Sequence, residues 1–451
     1  MTGPIGFRTI VETVIDAIAA KKLVPGQKLP PQRHLAQDIG VAVATVGRAY
    51  SALETQGFIT SHVGRGTFIS LHPRREKERP SASAGPIELG VYRAPVPQVR
   101  PGLAALLATV AATPNIESIL DSAPTPGLAR HREIISQWIG RSQIDADPDD
   151  IVLTNGGQHA VMAALSGLTE SGARIATEEL TDPRMKAVAS FLDRNLVGVA
   201  CDQDGMLPDD LDRLCRAQKI SALYCTPRHH NPTNVTMPLE RRADLVEVAR
   251  RHNLTIIESD IYGSIAEDHV TALCQFAPER TYRVSSLARI AGAGMKVGWL
   301  IAPPGNAKNA HIGVAMSTGV ASPFMTELAT RMIVDGKMEE MLRWQQVENR
   351  HRLSQLRGFP ILSGARGEPT SAHVWLNLPE PWRAEDLVEA AAREHNINIA
   401  PSHTFVVGRR TVPHAIRLVI GAPLDQDELL VACERLERLL AIGPRPSSIA
   451  G

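Results

Sequence analysis

Residues 29–70 read LPPQRHLAQDIGVAVATVGRAYSALETQGFITSHVGRGTFIS. After Leu29-Pro30-Pro31 the pattern predicts a helix from Gln32 and Arg33 through Leu35, Ala36 and Ile39 to a stop at Gly40. A second helix is predicted over Ala44–Gln56. Val46, Tyr50 and Leu53 lie on its inward face, and Gly57 ends it. Two short extended pieces follow, Phe58–Ser61 and Thr67–Ser70, and His62-Val63-Gly64-Arg65-Gly66 forms a glycine-flexed tip carrying a cation. Upstream, residues 8–21 place Ile10, Val11, Val14, Ile15 and Ile18 at helical spacing, and Pro25-Gly26 ends that run. Three helices followed by a basic hairpin make a winged helix-turn-helix.

Such a module reads DNA by filling the major groove with its last helix, while the wing approaches the neighbouring groove or backbone. Thr45 and Arg48 are therefore expected at base edges, Arg33 on phosphate, and Arg65 with Gly66 in the wing. Residues 1–80 carry eleven Lys/Arg against six Asp/Glu in a chain whose net charge is zero, so the basic end faces a polyanion and the rest is acidic. Over residues 8–70 the sequence resembles the GntR family, whose L-P-x-x-R-x-L-A-x-x-x-G-V, T-V-x-R-A-Y-x-x-L-x-x-x-G and G-x-G-T-F strings occur here in order. Many members carry S-R after the G-V, and here Ala42-Val43 stands instead, so base contacts are expected to be fewer or to come from elsewhere.

Residues 72–84 (HPRREKERPSASA) have no apolar periodicity and read as a solvated tether. The expected organisation is a DNA-binding head over 1–71, a linker over 72–85 and a body over 86–451. In 451 residues no apolar run approaches the roughly 20 residues of a membrane span, and the start lacks a secretion signal. Five cysteines show neither a C-x-x-C pair nor zinc spacing, which suggests reduced thiols in a cytoplasmic protein without a metal.

In the body, helix-period stretches alternate with short β-rich runs at 151–153, 174–176, 222–224, 255–257, 282–284 and 298–301. That alternation predicts an α/β body with a large, mainly parallel, helix-covered sheet. Residues 345–445 read as a smaller α+β part, with 415–420 as a strand. The stretch VSSLARIAGAGMKVGW, residues 284–299, then resembles the Schiff-base segment of fold-type I aminotransferases, commonly V-S-S-L-S-K-x-L-A-P-G-L-R-V-G-W. Arg289 stands where the lysine belongs. A guanidinium stays protonated and is a poor nucleophile, so the covalent link to pyridoxal phosphate is not expected.

The resemblance covers nearly the whole body and implies a site residue by residue. Gly157 and Gln158, in a turn that opens a helix, would face a phosphate with Ser286 and Lys296. Lys296 replaces the usual arginine and loses its two-pronged geometry. Asn231, in an N-P-T string, and Tyr262, in E-S-D-I-Y, would hold the cofactor's ring oxygen, and Arg417 would grip a substrate carboxylate. Ser259 falls where an aspartate would hold the pyridine nitrogen protonated, and Asp182 falls where an aromatic ring would stack. With Arg289, that makes three losses in three different roles, and no catalytic residue is assigned.

A winged-helix head on an aminotransferase-like body resembles the MocR subfamily of GntR regulators, in which the body dimerises and senses pyridoxal phosphate or a compound reacting with it. The resemblance implies a homodimeric regulator on double-stranded operator DNA. The departures suggest a small anionic effector without covalent cofactor chemistry, although the retained phosphate contacts leave non-covalent pyridoxal phosphate open. Two alternatives stand beside this reading. One is a working pyridoxal-phosphate aminotransferase with a DNA-binding head. The other is a ligand-blind scaffold in which Arg289 forms an internal ion pair with Asp182 or Asp260.

Overall fold

A computed structural model describes residues 7–19, 22–24, 26–55, 58–62, 66–69, 85–95, 103–113, 116–120, 123–267, 270–408 and 412–444. The chain divides into two compact units, Met1–Gly85 and Pro86–Gly451. Of the expected linker, all but Gly85 lies outside the described residues.

The first unit holds helices Phe7–Ala19, Gln32–Ile39 and Val43–Thr55, then strands Ile59–His62 and Gly66–Ile69 paired antiparallel. Gly40 ends the second helix at φ +68, a left-handed conformation that glycine adopts without a Cβ clash. Ile10, Val11, Val14, Leu29, Ala36, Val46, Tyr50, Leu53, Phe58, Ile59 and Ile69 share one core. The observed helix and strand limits differ from the expected ones by a residue or so, as fraying ends do.

The second unit is built on a seven-stranded sheet. Its order is 151–154, 298–301, 281–286, 255–259, 222–225, 174–178 and 195–199. Only 298–301 runs antiparallel to its neighbours, so the sheet is mainly parallel as expected. The strands at 151–154, 222–225 and 281–286 are buried along their whole length because helices cover both faces. Helix Gly157–Leu168 packs tightly on helix Ala307–Ala315. A Cβ on Gly313 would lie 2.0 Å from the Ala163 carbonyl oxygen, so only glycine fits there.

The smaller part pairs strand Ala415–Leu418 antiparallel with Val374–Asn377 and with Ala400–Pro401, packed under helices Ala384–His395 and Gln426–Ile442. Strand Ile87–Glu88 joins Ile397–Asn398, which brings the start of the body, residues 87–95, onto this part and beside the large sheet's carboxyl ends. That return places Tyr92 against Tyr262.

Candidate functional site

In the head, helix Val43–Thr55 turns Val46, Ala49, Tyr50 and Leu53 into the core, which leaves Val43, Ala44 and Arg48 exposed and Thr45 half-buried. The Tyr50 hydroxyl donates to the Pro30 carbonyl at 2.8 Å and ties this helix to the start of the preceding one. Arg48 lies 4.5 Å from the centre of the Phe7 ring, so the first helix positions this cation as well. Arg33 is exposed in the first turn of helix Gln32–Ile39. Gly66 has φ +109, and a Cβ there would lie 2.6 Å from Lys28 Cε. Arg65 lies outside the described residues. Phe7 and Lys28 carry no motif of their own, and only the packing shows that they support Arg48 and Gly66.

The body's site gathers at the carboxyl ends of the large sheet, where open α/β sheets bind ligands. Arg289 follows strand Thr281–Ser286 in the short helix Ala288–Ala291 and is buried. Its guanidinium carbon is 3.9 Å from the centre of the Tyr92 ring and 4.7 Å from that of Tyr262, and an Arg289 Nη2 proton goes to the Tyr262 hydroxyl at 3.2 Å. Its Nε has no hydrogen-bond partner among the described residues. Tyr92, Tyr262 and His373 meet edge to face, with ring centres 4.9 and 5.7 Å apart, and form a rigid aromatic wall.

Tyr262 is the hub. Its hydroxyl donates to Asp182 Oδ2 at 2.5 Å and accepts from Asn231 Nδ2 at 3.0 Å and from Arg289. Asn231 Oδ1 accepts from Arg417 at 2.8 Å, and Arg417 also donates to the Gly90 carbonyl. Asn231, Tyr262, Asp182, Arg289 and Arg417 thus form one connected network, as their expected roles in one pocket require. Burial, aided by the Asp182 charge, pushes the Tyr262 hydroxyl up to about 12, so it stays a proton donor at neutral pH. Burial alone would raise the Asp182 carboxyl. The Arg184 cation, the Tyr262 proton and the Arg184 backbone N–H outweigh it, and Asp182 lies below the ordinary carboxylate range.

The expected ion pair of Arg289 with Asp260 does not form. Asp260 pairs with Arg283 at 2.6 Å, and Arg283 reaches Glu258 at 2.9 Å on the adjacent strand position. Alternation along the strand turns Asp260 to the opposite face of the sheet from Ser259, where it lines a separate cavity with Ser285 and Trp299. Arg289 is also not paired directly with Asp182: the Tyr262 hydroxyl stands between them. Ser259 is buried near the Tyr224 hydroxyl.

At the other end of the pocket, Gly156 caps helix Gly157–Leu168 at φ +87, Gln158 is exposed in its first turn, and exposed Lys296 runs beside Gly156. The first-turn N–H groups lack intrahelical acceptors and face the same side, a polarity suited to an anion. Gly157 is small for a packing reason as well, since a Cβ would lie 2.6 Å from Ile261 Cδ1. The Ser286 hydroxyl donates to the Val297 carbonyl at 3.0 Å and accepts from Ala288 N–H at 3.2 Å, so its first duty is to hold the turn before Arg289.

Tyr92 and His373 escape sequence reasoning because neither lies in a motif. The signal that could have found Tyr92 is an aromatic in an otherwise small-residue stretch near the start of the body. No helix among the described residues is long and apolar enough to cross a membrane, and no cluster of histidine, cysteine and carboxylate side chains there could hold a metal ion.

Residues 7–69 match the bacterial regulatory proteins of the gntR family, and residues 96–436 match aminotransferase class I and II. The chain is 28 % identical over 423 residues to an uncharacterized HTH-type transcriptional regulator, YdeF, of Bacillus subtilis, covering 93 % of this chain and 90 % of that protein. It is 26 % identical over 324 residues to the HTH-type pyridoxine biosynthesis transcriptional regulator PdxR of Corynebacterium glutamicum, covering 66 % of each. Among solved structures, an archaeal alanine:glyoxylate aminotransferase superposes with a TM-score of 0.72 at 22 % identity, over 80 % of this chain and 92 % of that one.

Proposed function

Because this chain belongs to the aminotransferase class I and II family through its body and carries a gntR-type head, in the manner of MocR-like transcription regulators, we propose that the body is a non-covalent sensor of a small anion. The observation that carries this reading is Arg289, a buried guanidinium held against the touching rings of Tyr92 and Tyr262 where the fold's enzymes need an amine. Among the described residues, Arg184, Arg289 and Arg417 surround the Tyr262 hydroxyl with Asp182 as the opposing charge. The excess is positive, and the burial of Arg289 and Arg417 strengthens charge pairing at their end of the site, while Arg184 is exposed. A small carboxylate or phosphate ester is the ligand this field selects.

The residues present do not fit pyridoxal phosphate held as the fold's enzymes hold it. No amine stands at position 289. Asn231 and Tyr262, the partners of a ring hydroxyl, are spent on Arg417 and Asp182, and Ser259 carries no charge. A serine cannot balance a protonated ring nitrogen. Electron-sink chemistry is therefore absent from the account, and pyridoxal phosphate enters only as one more anion, a non-covalent candidate.

The head binds double-stranded operator DNA through Arg33, Thr45, Arg48, Arg65 and Gly66. The body dimerises, which places two heads on two half-sites. Leu107, Ile312, Met316 and Phe324 support a body interface, being large apolar side chains left exposed on helices Leu103–Ala111 and Pro323–Val334 and on and just after helix Ala307–Ala315. The anion acts by favouring one of two body arrangements, which changes head spacing and operator affinity.

The test selects bound sequences from a random duplex pool with the full-length protein. Operator affinity is then measured by fluorescence anisotropy with and without a panel of small carboxylates and phosphate esters. The reading requires a two-half-site motif and an affinity that at least one anion shifts in wild type but not in Arg289→Ala. Binding indifferent to sequence, or an anion response retained by Arg289→Ala, contradicts it.

A further inference from the structure

We propose that the body has a second ligand site, separate from the Arg289 pocket and of opposite polarity, which binds a small organic amine in its ammonium form. The site is a cavity of about 300 Å³ between the large sheet and the smaller part of the body. The large sheet contributes Glu178 and Glu179 at the end of strand Arg174–Glu178, with His230. The smaller part contributes Trp375 and Asn377 of strand Val374–Asn377. Its volume is at the lower end for small-molecule pockets, and it lies where two lobes and the carboxyl ends of parallel strands meet.

Glu178 is the reason to expect a cation. It is 2 % exposed, and its carboxylate accepts from the Thr226 backbone N–H at 2.7 Å and from the Thr177 hydroxyl at 3.0 Å, both neutral donors. The nearest titratable partner is His230, whose Nε2 lies 4.0 Å from Glu178 Oε1. Burial holds that imidazole below its ordinary range, so it does not supply the missing charge. A buried carboxylate without a cation is costly, and a ligand ammonium would remove the cost.

His230 is the independent sign that something is meant to sit there. Its Nδ1 is engaged by the Thr233 hydroxyl at 2.7 Å. Its Nε2, buried and on the cavity wall, closes no hydrogen bond among the described residues, although the Leu180 backbone and Glu178 face it. Unmet buried polar atoms are rare and call for a ligand or a water. Two further charges line the wall: Asp202 is neutralised by Arg241 at 2.9 Å, and the exposed Arg366 donates to the Gln203 carbonyl at 3.4 Å, so neither supplies Glu178 with a cation. Burial, then the Glu178 charge, push the Cys201 thiol on the same wall up, as a negative field does.

The rest of the wall suits the hydrocarbon of an amine. Met206, Met237, Val235 and Leu180 are apolar, and the buried Trp375 ring adds a face that favours an ammonium. The cavity also shares a wall with the first site. His230 and Thr233 flank Asn231, which holds Tyr262 and Arg417, so a ligand on His230 presses on the loop that closes the Arg289 network.

Isothermal titration of the full-length protein tests this with butylamine and 1,4-diaminobutane, using butan-1-ol as the uncharged isostere. Saturable amine binding is expected, with butan-1-ol at least about tenfold weaker, the value of one charge-assisted hydrogen bond. Glu178→Gln keeps the shape, its Oε1 still accepting from the Thr226 N–H while the Thr177 hydroxyl turns to accept from Nε2, and should lose about tenfold or more in amine affinity. Asn377→Lys sets a competing cation at the exposed mouth and should weaken amines similarly, so it carries the test if Glu178→Gln fails to fold. Equal affinity for amine and alcohol, unchanged amine binding in the folded variants, or no saturable heat from either amine overturns the proposal.

Discussion

The guanidinium of Arg289 lies 3.9 Å from the centre of the Tyr92 ring, a contact between the first turns of the body and the end of its central sheet. Tyr262, whose ring centre lies 4.7 Å from the guanidinium and 4.9 Å from that of Tyr92, takes an adjoining side and accepts one of the Arg289 protons. A lysine here would reach into a pocket; this arginine is gripped by the protein itself. The site is organised around a fixed cation.

Restoring the amine alone should therefore not restore an enzyme. Arg289→Lys leaves the uncharged Ser259 at the ring-nitrogen position and Asp182 bonded to Tyr262, so two of the three departures remain. With pyridoxal phosphate supplied, the variant should produce no keto acid from a panel of amino acids above the rate of free cofactor. Enzymatic keto-acid formation would mean that the other two positions matter less than the geometry says.

The pair that sequence reading offered to Arg289 belongs to a different unit, and it is costly to break. Arg283 is buried between Glu258 at 2.9 Å and Asp260 at 2.6 Å, and Glu258 is fully buried. Arg283→Met would leave the fully buried Glu258 without its cation and Asp260 with only Arg228, at 3.9 Å, with an expected loss of about 3–5 kcal/mol. Denaturant unfolding followed by tryptophan fluorescence measures it, and a loss under about 1 kcal/mol would show that solvent reaches these groups.

This division between legible and hidden residues has a physical cause. Helix ends, the hairpin and the strands at 151–154, 222–225 and 281–286 follow from apolar period and from glycine and proline positions, which act within a few residues. Asn231, Tyr262, Arg289 and Arg417 could be placed together because each sits in a local string whose neighbours constrain it. Tyr92 could not: its partner is 170 positions away, brought in by the pairing of Ile87–Glu88 with Ile397–Asn398. The Asp260–Arg283 pair needed the strand register, which sets Glu258 beside Arg283. The edge strand Asn195–Val199 went unread because its residues are only half-buried and its apolar signal is weak.

Acid should destabilise the body through its buried histidines. Burial lowers His229 to about 3, whereas in the unfolded chain it titrates near its usual value of about 6.5. The folded value is depressed, so the neutral ring's contribution is complete above about pH 6.5 and is lost as pH falls from there towards 3, because the unfolded chain then binds the extra proton. His229 has φ +46, which asparagine tolerates, so His229→Asn removes the titration with little backbone strain. Unfolding free energy measured between pH 7 and 5 should fall less steeply in the variant, by up to about 1.4 kcal/mol per pH unit. An unchanged slope would place the acid sensitivity in other groups.

Arg33, exposed in the first turn of its helix, is expected to contact phosphate and not bases. Arg33→Ala should weaken binding to every duplex by a similar factor and reduce the slope of log affinity against log salt by about one. A loss confined to the selected operator would reassign Arg33 to base reading.

Arg289, in place of an amine, is expected to end covalent cofactor chemistry. The direct measurement is the absorption spectrum of the purified protein with added pyridoxal phosphate, followed by borohydride reduction and intact-mass analysis. No new absorption band from a protein-bound adduct and no stoichiometric mass increment after reduction are expected. A band together with a single increment mapped to one lysine, Lys296 or any other, would contradict that expectation and return the body to the covalent pyridoxal-phosphate proteins.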